Sequence, residues 1–247
     1  MTTTTDSAVL PTSPAFSVLA AATATHGTGR DGDIALPKLP GFVESAFSPL
    51  AYEVAATCLT ACHGDGDRTA VALVSLAGDT TTADLASSRM VSGRVHNPLL
   101  FMQATANSVL GHMSREFGIT GQMFSLSTLA DPLTELLAMA ELLLEEPELD
   151  RVLVLGVELG GGERVAAVHR ELAAEYAEYS ARPVPVLPAS AGLAAAVLLG
   201  RPGDSGAPQV PVRPTATTTG RLGSIQTLFE LAATHTETRE SHTHAHQ

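Results

Sequence analysis

Apolar residues fall into short unbroken runs, separated by longer stretches in which they recur at helical spacing. Residues 16–24 (FSVLAAATA), 69–78 (TAVALVSLAG), 121–128 (GQMFSLST), 151–159 (RVLVLGVEL) and 191–200 (AGLAAAVLLG) are such runs, and each predicts a strand. Residues 46–63 predict a helix, with Ser48 and Pro49 as its cap and first turn. A single helix is predicted over 98–117, with Asn97 as cap, Pro98 at its first position and Gly118 closing it. Asp131 and Pro132 start the strongest helix, LTELLAMAELLLEE, because Asp131 can accept from its free N–H groups. A more exposed helix over 163–180 and a short one within 221–234 complete the pattern. Continuous apolar strands alternating with helices predict an α/β fold with a mostly parallel, five-stranded sheet and helices packed on it. Residues 1–15 read as a disordered lead-in, 203–218 as a linker and 235–247 as a disordered tail.

Composition supports a packed core: 45% of the 247 residues are hydrophobic, mostly Ala, Leu and Val. The net charge of −12 argues against nucleic acid or an anionic membrane surface as partner, and fits a soluble protein or one that meets a basic surface on another protein. No run approaches the ~20 apolar residues of a membrane span. The N-terminus has no positive charge and no apolar core of a signal peptide, so a cytoplasmic location is expected.

Several motifs carry chemistry elsewhere and need a context that is missing here. Gly27, Gly29 and Gly32 form G-x-G-x-x-G after a strand, but DIALPKLPG follows where a dinucleotide site needs a helix N-terminus. GDSGAP (203–208) resembles the serine loop of trypsin-like proteases, but lies in a Pro/Gly-rich stretch after an α/β run and reads as linker. Cys58 and Cys62, with His63 beside them, read as small apolar residues of one helix face rather than metal ligands. His235, His242, His244 and His246 alternate in the tail, where nothing would orient the imidazoles for a metal. No metal and no cofactor is expected.

Two stretches together resemble β-ketoacyl synthases. Residues 97–159 follow that family's order of a helix with an Asn, a glycine turn, a strand ending in Thr-Ala-Cys, a long helix and a strand ending in Gly-Gly-x-Glu. Here the turn is Gly118-Ile119-Thr120-Gly121-Gln122, the first strand ends Thr128-Leu129-Ala130, and the last ends Leu155-Gly156-Val157-Glu158. PASAGLAAAVLLGRP (188–202) is similar to the strand closing the family's N-terminal half. The resemblance implies that residues 16–202 form the N-terminal half of a thiolase fold. Residues 219–234 would be a remnant of the C-terminal half, with Arg221 where the family has a histidine.

The departures from the family decide the functional expectation. Condensation needs a thiolate to carry the acyl chain. Ala130 stands in the cysteine position, and the half that supplies the family's two histidines is expected to be missing. These departures resemble the chain-length factors of type II polyketide synthases, in the short form of aryl-polyene and other highly reducing systems. The resemblance implies an obligate heterodimer with an active ketosynthase, and a complex that binds acyl carrier protein. It also implies that the strand carrying Phe124, Ser125, Leu126, Ser127 and Thr128 pairs across the dimer interface. Leu100, Gln103, Ala104 and Asn107 would share one face of a continuous helix, with the small Thr105 and Ser108 nearby, and set the depth of an acyl tunnel. The alternative is a stand-alone acyl-transferring or dehydrating enzyme on the same fold, for which Ser127, His96 and His112 are the nearby candidate groups.

Overall fold

The computed structural model describes residues 15–94, 98–175, 187–203, 208–211 and 224–244. The strands are β1 (Ala15–His26), β2 (Thr69–Val74), β3 (Met123–Leu126), β4 (Arg151–Leu159), β5 (Gly192–Gly200) and β6 (Gln209–Pro211). The helices are α1 (Phe47–Ala61), α2 (Thr80–Val91), α3 (Pro98–Gln103), α4 (Asn107–Phe117), α5 (Pro132–Glu145), α6 (Glu163–Glu175) and α7 (Gln226–His244). The sheet order is β3-β2-β4-β5-β1-β6.

That sheet is mixed and six-stranded, not mostly parallel and five-stranded. β2 pairs in parallel with β3 and β4, but β5 runs antiparallel to both β4 and β1, and β6 antiparallel to β1. Unbroken apolar strands report burial on both faces, which usually accompanies parallel pairing but does not require it. Here helices cover both faces whatever the strand direction. One layer packs α1 and α4 on Val71, Leu73, Leu153, Leu155, Ala196 and Leu198. The opposite layer packs α5 and α7 on Ala70, Ala72, Val74, Val154 and Val197. Successive residues of β2, β4 and β5 thus alternate between two cores, as the pleat requires.

β1 breaks this alternation once. Phe16 and Val18 belong to the α5/α7 core, whereas Ala20, Ala22 and Ala24 belong to the α1 core. The register shifts between Val18 and Ala20, opposite Leu199 and Leu198. One inserted residue sends the rest of the strand to the other face. The alanines that follow let α1 lie close to the sheet, and Cys58 on α1 is buried with its Sγ 3.7 Å from the Ala196 carbonyl.

Local chemistry moved several boundaries. α1 begins at Phe47, and the Ser45 hydroxyl, not Ser48, meets its first turn by accepting from Ser48 N (3.0 Å). The same hydroxyl donates to Asp79 at 2.5 Å, and Asp79 caps α2 through Thr82 N (3.0 Å). α2 is mostly polar and buries only Thr82 and Ala86, so no apolar pattern marks it in the sequence. At the far end of α1, the buried Arg151 guanidinium donates to Cys62 O and Thr69 Oγ1, both at 2.7 Å. A cation there complements the helix C-terminus.

The helix expected over 98–117 is two helices with a turn at Ala104, Thr105 and Ala106. Hydroxyls account for the break: Thr105 Oγ1 donates to Phe101 O (3.1 Å) and Ser108 Oγ to Met102 O, competing with the backbone ladder. Gly118 closes α4 in the left-handed conformation, as expected, with Ile119 N donating to Ser114 O at 3.0 Å. α7 continues to His244 instead of ending near Thr234, and β6 lies within the stretch read as linker. His96, Asn97, His246, Arg221 and most of GDSGAP lie outside the described residues.

Candidate functional site

β3 delivers the chain to the sheet edge, and a short turn passes it to α5. Ala130 sits exposed in that turn, its N–H donating to Thr128 Oγ1 at 3.0 Å. The next residue caps the helix as the sequence predicts: Asp131 accepts from Thr134 N at 3.0 Å and from Thr134 Oγ1 at 2.8 Å. Its other oxygen accepts from Thr227 Oγ1 of α7 at 2.7 Å. The positive end of α5 is therefore engaged by a carboxylate built into the chain. A nucleophilic thiolate at this kind of turn draws on that same positive end. Position 130 has a methyl group, and its neighbour is an anion.

β3 pairs with β2 on one side and stands last in the sheet among the described residues. Phe124, Ser125 and Leu126 lie in the strand and are half-buried. Ser127 and Thr128 lie just beyond it, and the Ser127 hydroxyl donates to Leu76 O at 2.9 Å. α4 packs beside β3, and α3 beside α4 and α2. On α3, Leu99 is 58% and Met102 64% exposed, with Phe101 also exposed, and Met90 and Val91 lie exposed on α2. This end of the molecule thus combines an open strand edge with apolar side chains in solvent, the composition of a protein interface.

The residues assigned to an acyl surface are brought near one another, but not on one continuous helix. Leu100 is buried on α3 and Gln103 ends that helix. Ala104 and Thr105 form the turn, while Asn107 and Ser108 open α4. The i, i+3, i+4, i+7 relation is interrupted at Ala104. The Gln103 amide oxygen is buried without a hydrogen-bond partner among the described residues. A cleft of about 320 Å³ adjoins Gln103 and Ser108, with Phe42, Gly111, His112 and Arg115 around it. His112 is held edge-on by Phe42 and Tyr52, with ring centroids 6.1 and 5.5 Å apart. The cleft was not foreseen in the sequence, because its wall comes from the turn at Pro40, some seventy residues from α4 in the chain.

The glycine loop after β1 is occupied by its own aspartate. Asp33 accepts from Thr28 Oγ1 at 2.7 Å and Gly29 N at 2.9 Å, and Thr28 foremost holds its carboxyl below the usual range. The next helix is α1, well beyond the loop. The loop therefore turns an N–H inward where a dinucleotide site would offer it to phosphate.

The fold is thiolase-like: a mixed sheet between two helical layers, with a long helix leaving the turn after an edge strand. It is similar to a chain of the ketosynthase ApeO in complex with its chain length factor ApeC from Xenorhabdus doucetiae, matched at TM-score 0.53 and 17% identity over 76% of this chain and 79% of that one. The ishigamide ketosynthase/chain length factor gives a TM-score of 0.54 at 15% identity, over 79% of this chain and 63% of that one. A type II polyketide synthase acyl-carrier protein in complex with its ketosynthase bound to the hexaketide gives 0.53 at 12% identity, over 77% and 64%. The chain thus spans less than two thirds of the latter two. No protein-family model matches the sequence, and no curated protein does. At these identities the likeness is one of fold. Among the described residues, no helix is long and apolar enough to cross a membrane.

Proposed function

We propose that this chain is a non-catalytic chain-length factor: a cytoplasmic subunit that pairs with an active ketosynthase and shapes the tunnel in which a polyene or polyketide chain grows by decarboxylative condensation. The observation that carries this reading is Ala130 at the turn between β3 and α5, with Asp131 on the helix N-terminus behind it. In this reading the partner supplies the cysteine, and the acyl carrier protein is bound by the complex.

The interface follows from the same end of the molecule. The open edge of β3 and the exposed apolar residues of α3 dock on the ketosynthase, covering surface that is otherwise costly to leave in water. The growing chain runs past Leu100, Gln103, Ala104, Thr105, Asn107 and Ser108. Small side chains at Ala104, Thr105 and Ser108 leave room for a long product.

The test is co-expression with a ketosynthase. A 1:1 complex should co-purify, and its activity should vanish when the partner's cysteine is replaced. Acyl turnover by this chain alone would sink the reading in favour of a stand-alone enzyme. In an active complex, Ala104→Phe should shift the product to shorter chains by mass spectrometry; an unchanged length distribution removes Ala104 from the tunnel.

A further inference from the structure

α4 carries an interior glycine that the backbone does not require. Gly111 lies well inside Asn107–Phe117, its φ is not positive, and a Cβ built there meets nothing within 4 Å. Gly66, Gly121 and Gly160 differ, because a Cβ at each would strike backbone atoms. A glycine inside a helix is less stable than alanine by roughly 0.5–1 kcal/mol. What Gly111 provides in return is space, since it lines the cleft of about 320 Å³.

Ser108, Gly111, His112 and Arg115 are the α4 residues that line it. They stand at i, i+3, i+4 and i+7 and form one stripe of α4. At the helical rise, the stripe runs about 10 Å. The rest of the lining is largely apolar and includes Phe42 from the turn after Pro40 and Leu99 and Met102 from α3. Arg115 stands at the C-terminal end of the stripe, exposed, and makes no ion pair among the described residues. An apolar trough with a glycine in its middle and a guanidinium at one end complements a slender amphiphile with an anionic head.

We propose that this cleft is a small-molecule site of the chain itself, taking an unbranched apolar chain with a carboxylate head. The carboxylate meets Arg115, and the chain lies across Gly111 toward Met102. Gly111 is the position that admits the chain, because any larger side chain there projects into the trough. Gln103 and Ser108 border both this cleft and the proposed acyl surface, so the inference deepens that reading while requiring no ketosynthase for its test.

The full-length chain is titrated with cis-parinaric acid, an unbranched polyene carboxylate that fluoresces in apolar surroundings. Saturable binding is expected. Gly111→Phe should reduce affinity at least about tenfold while leaving the thermal midpoint unchanged or raised, since nothing stands within 4 Å of its Cβ and phenylalanine favours the helix over glycine. Arg115→Gln should weaken the acid about tenfold and leave the methyl ester unaffected. Arg115 is exposed, so this second variant tests the site even if Gly111→Phe fails to fold. Absence of saturable binding overturns the proposal, as does binding that neither variant weakens. Loss of ketosynthase co-purification on Gly111→Phe, with no parinarate bound by the native chain, marks a protein-docking groove and also overturns it. Parinarate binding without any co-purifying ketosynthase sinks the chain-length reading and leaves this one standing.

Discussion

Ala130 and Asp131 act as a pair at the start of α5. Position 130 offers only a methyl group, and the carboxylate accepts from Thr134 at the place where the helix would otherwise stabilise an anion. Introducing sulfur should therefore not create a reactive thiol. A thiol at position 130 would sit beside a negative charge, which disfavours the thiolate. In Ala130→Cys, alkylation of the new thiol by iodoacetamide at neutral pH should be no faster than that of a small free thiol. Site-resolved mass spectrometry separates it from the buried Cys58 and the half-buried Cys62. Rapid alkylation would mean that the turn still activates a cysteine.

Two helices depend on single side chains beyond their own turns. Asp131 both caps α5 and accepts from Thr227 on α7, so it joins two elements of the same layer. Asp131→Ala should lower unfolding stability by about 1–2 kcal/mol in urea titration. The loss should shrink in a Thr227→Val background, because the two changes share one hydrogen bond. α7 carries a pH dependence as well. Burial holds the His235 imidazole below its ordinary value near 6.5. The folded state thus favours the neutral ring. Its contribution is complete above about pH 6.5 and is lost as the pH falls through the lowered value. Thermal melts should show α7 loosening on mild acidification, and His235→Gln should flatten that part of the pH profile. An identical profile in the variant would place the acid sensitivity elsewhere.

At the scale of the whole molecule, the sheet has two unlike ends. β1 is joined by β6, whereas β3 is open on its outer side among the described residues, and α4, which packs beside β3, also carries α3 with its exposed apolar residues. A charge on that edge should block strand pairing and leave the monomer intact. Ser125→Lys should keep the circular-dichroism spectrum and thermal midpoint of the native chain, yet fail to co-purify a ketosynthase. A complex that survives the lysine would move the interface away from β3.

Features whose physics acts over a few residues were readable in the sequence. Asp131 and Pro132 at the start of α5, Gly118 at the end of α4 and the unbroken run of β4 each depend on neighbours in the chain. The position of Ala130 at a strand-to-helix turn followed from the same local signals. Strand direction did not, because a strand buried on both faces has the same composition whichever way it runs, and only pairing at long range made β5 antiparallel to β4. The bulge in β1 shows only when Val18 and Ala20 are set against Leu199 and Leu198. The break at Ala104 arose from hydroxyl-to-carbonyl bonds that helical periodicity does not register. The cleft over Gly111 needed α3, α4 and the distant turn at Pro40 to meet. By itself, then, the sequence determined most of the long strands and helices and the strand-to-helix turn at Ala130, since these are properties of short segments. The tertiary structure alone decided the sheet's direction, its open edge and the space above Gly111, because each is a relation between segments far apart in the chain.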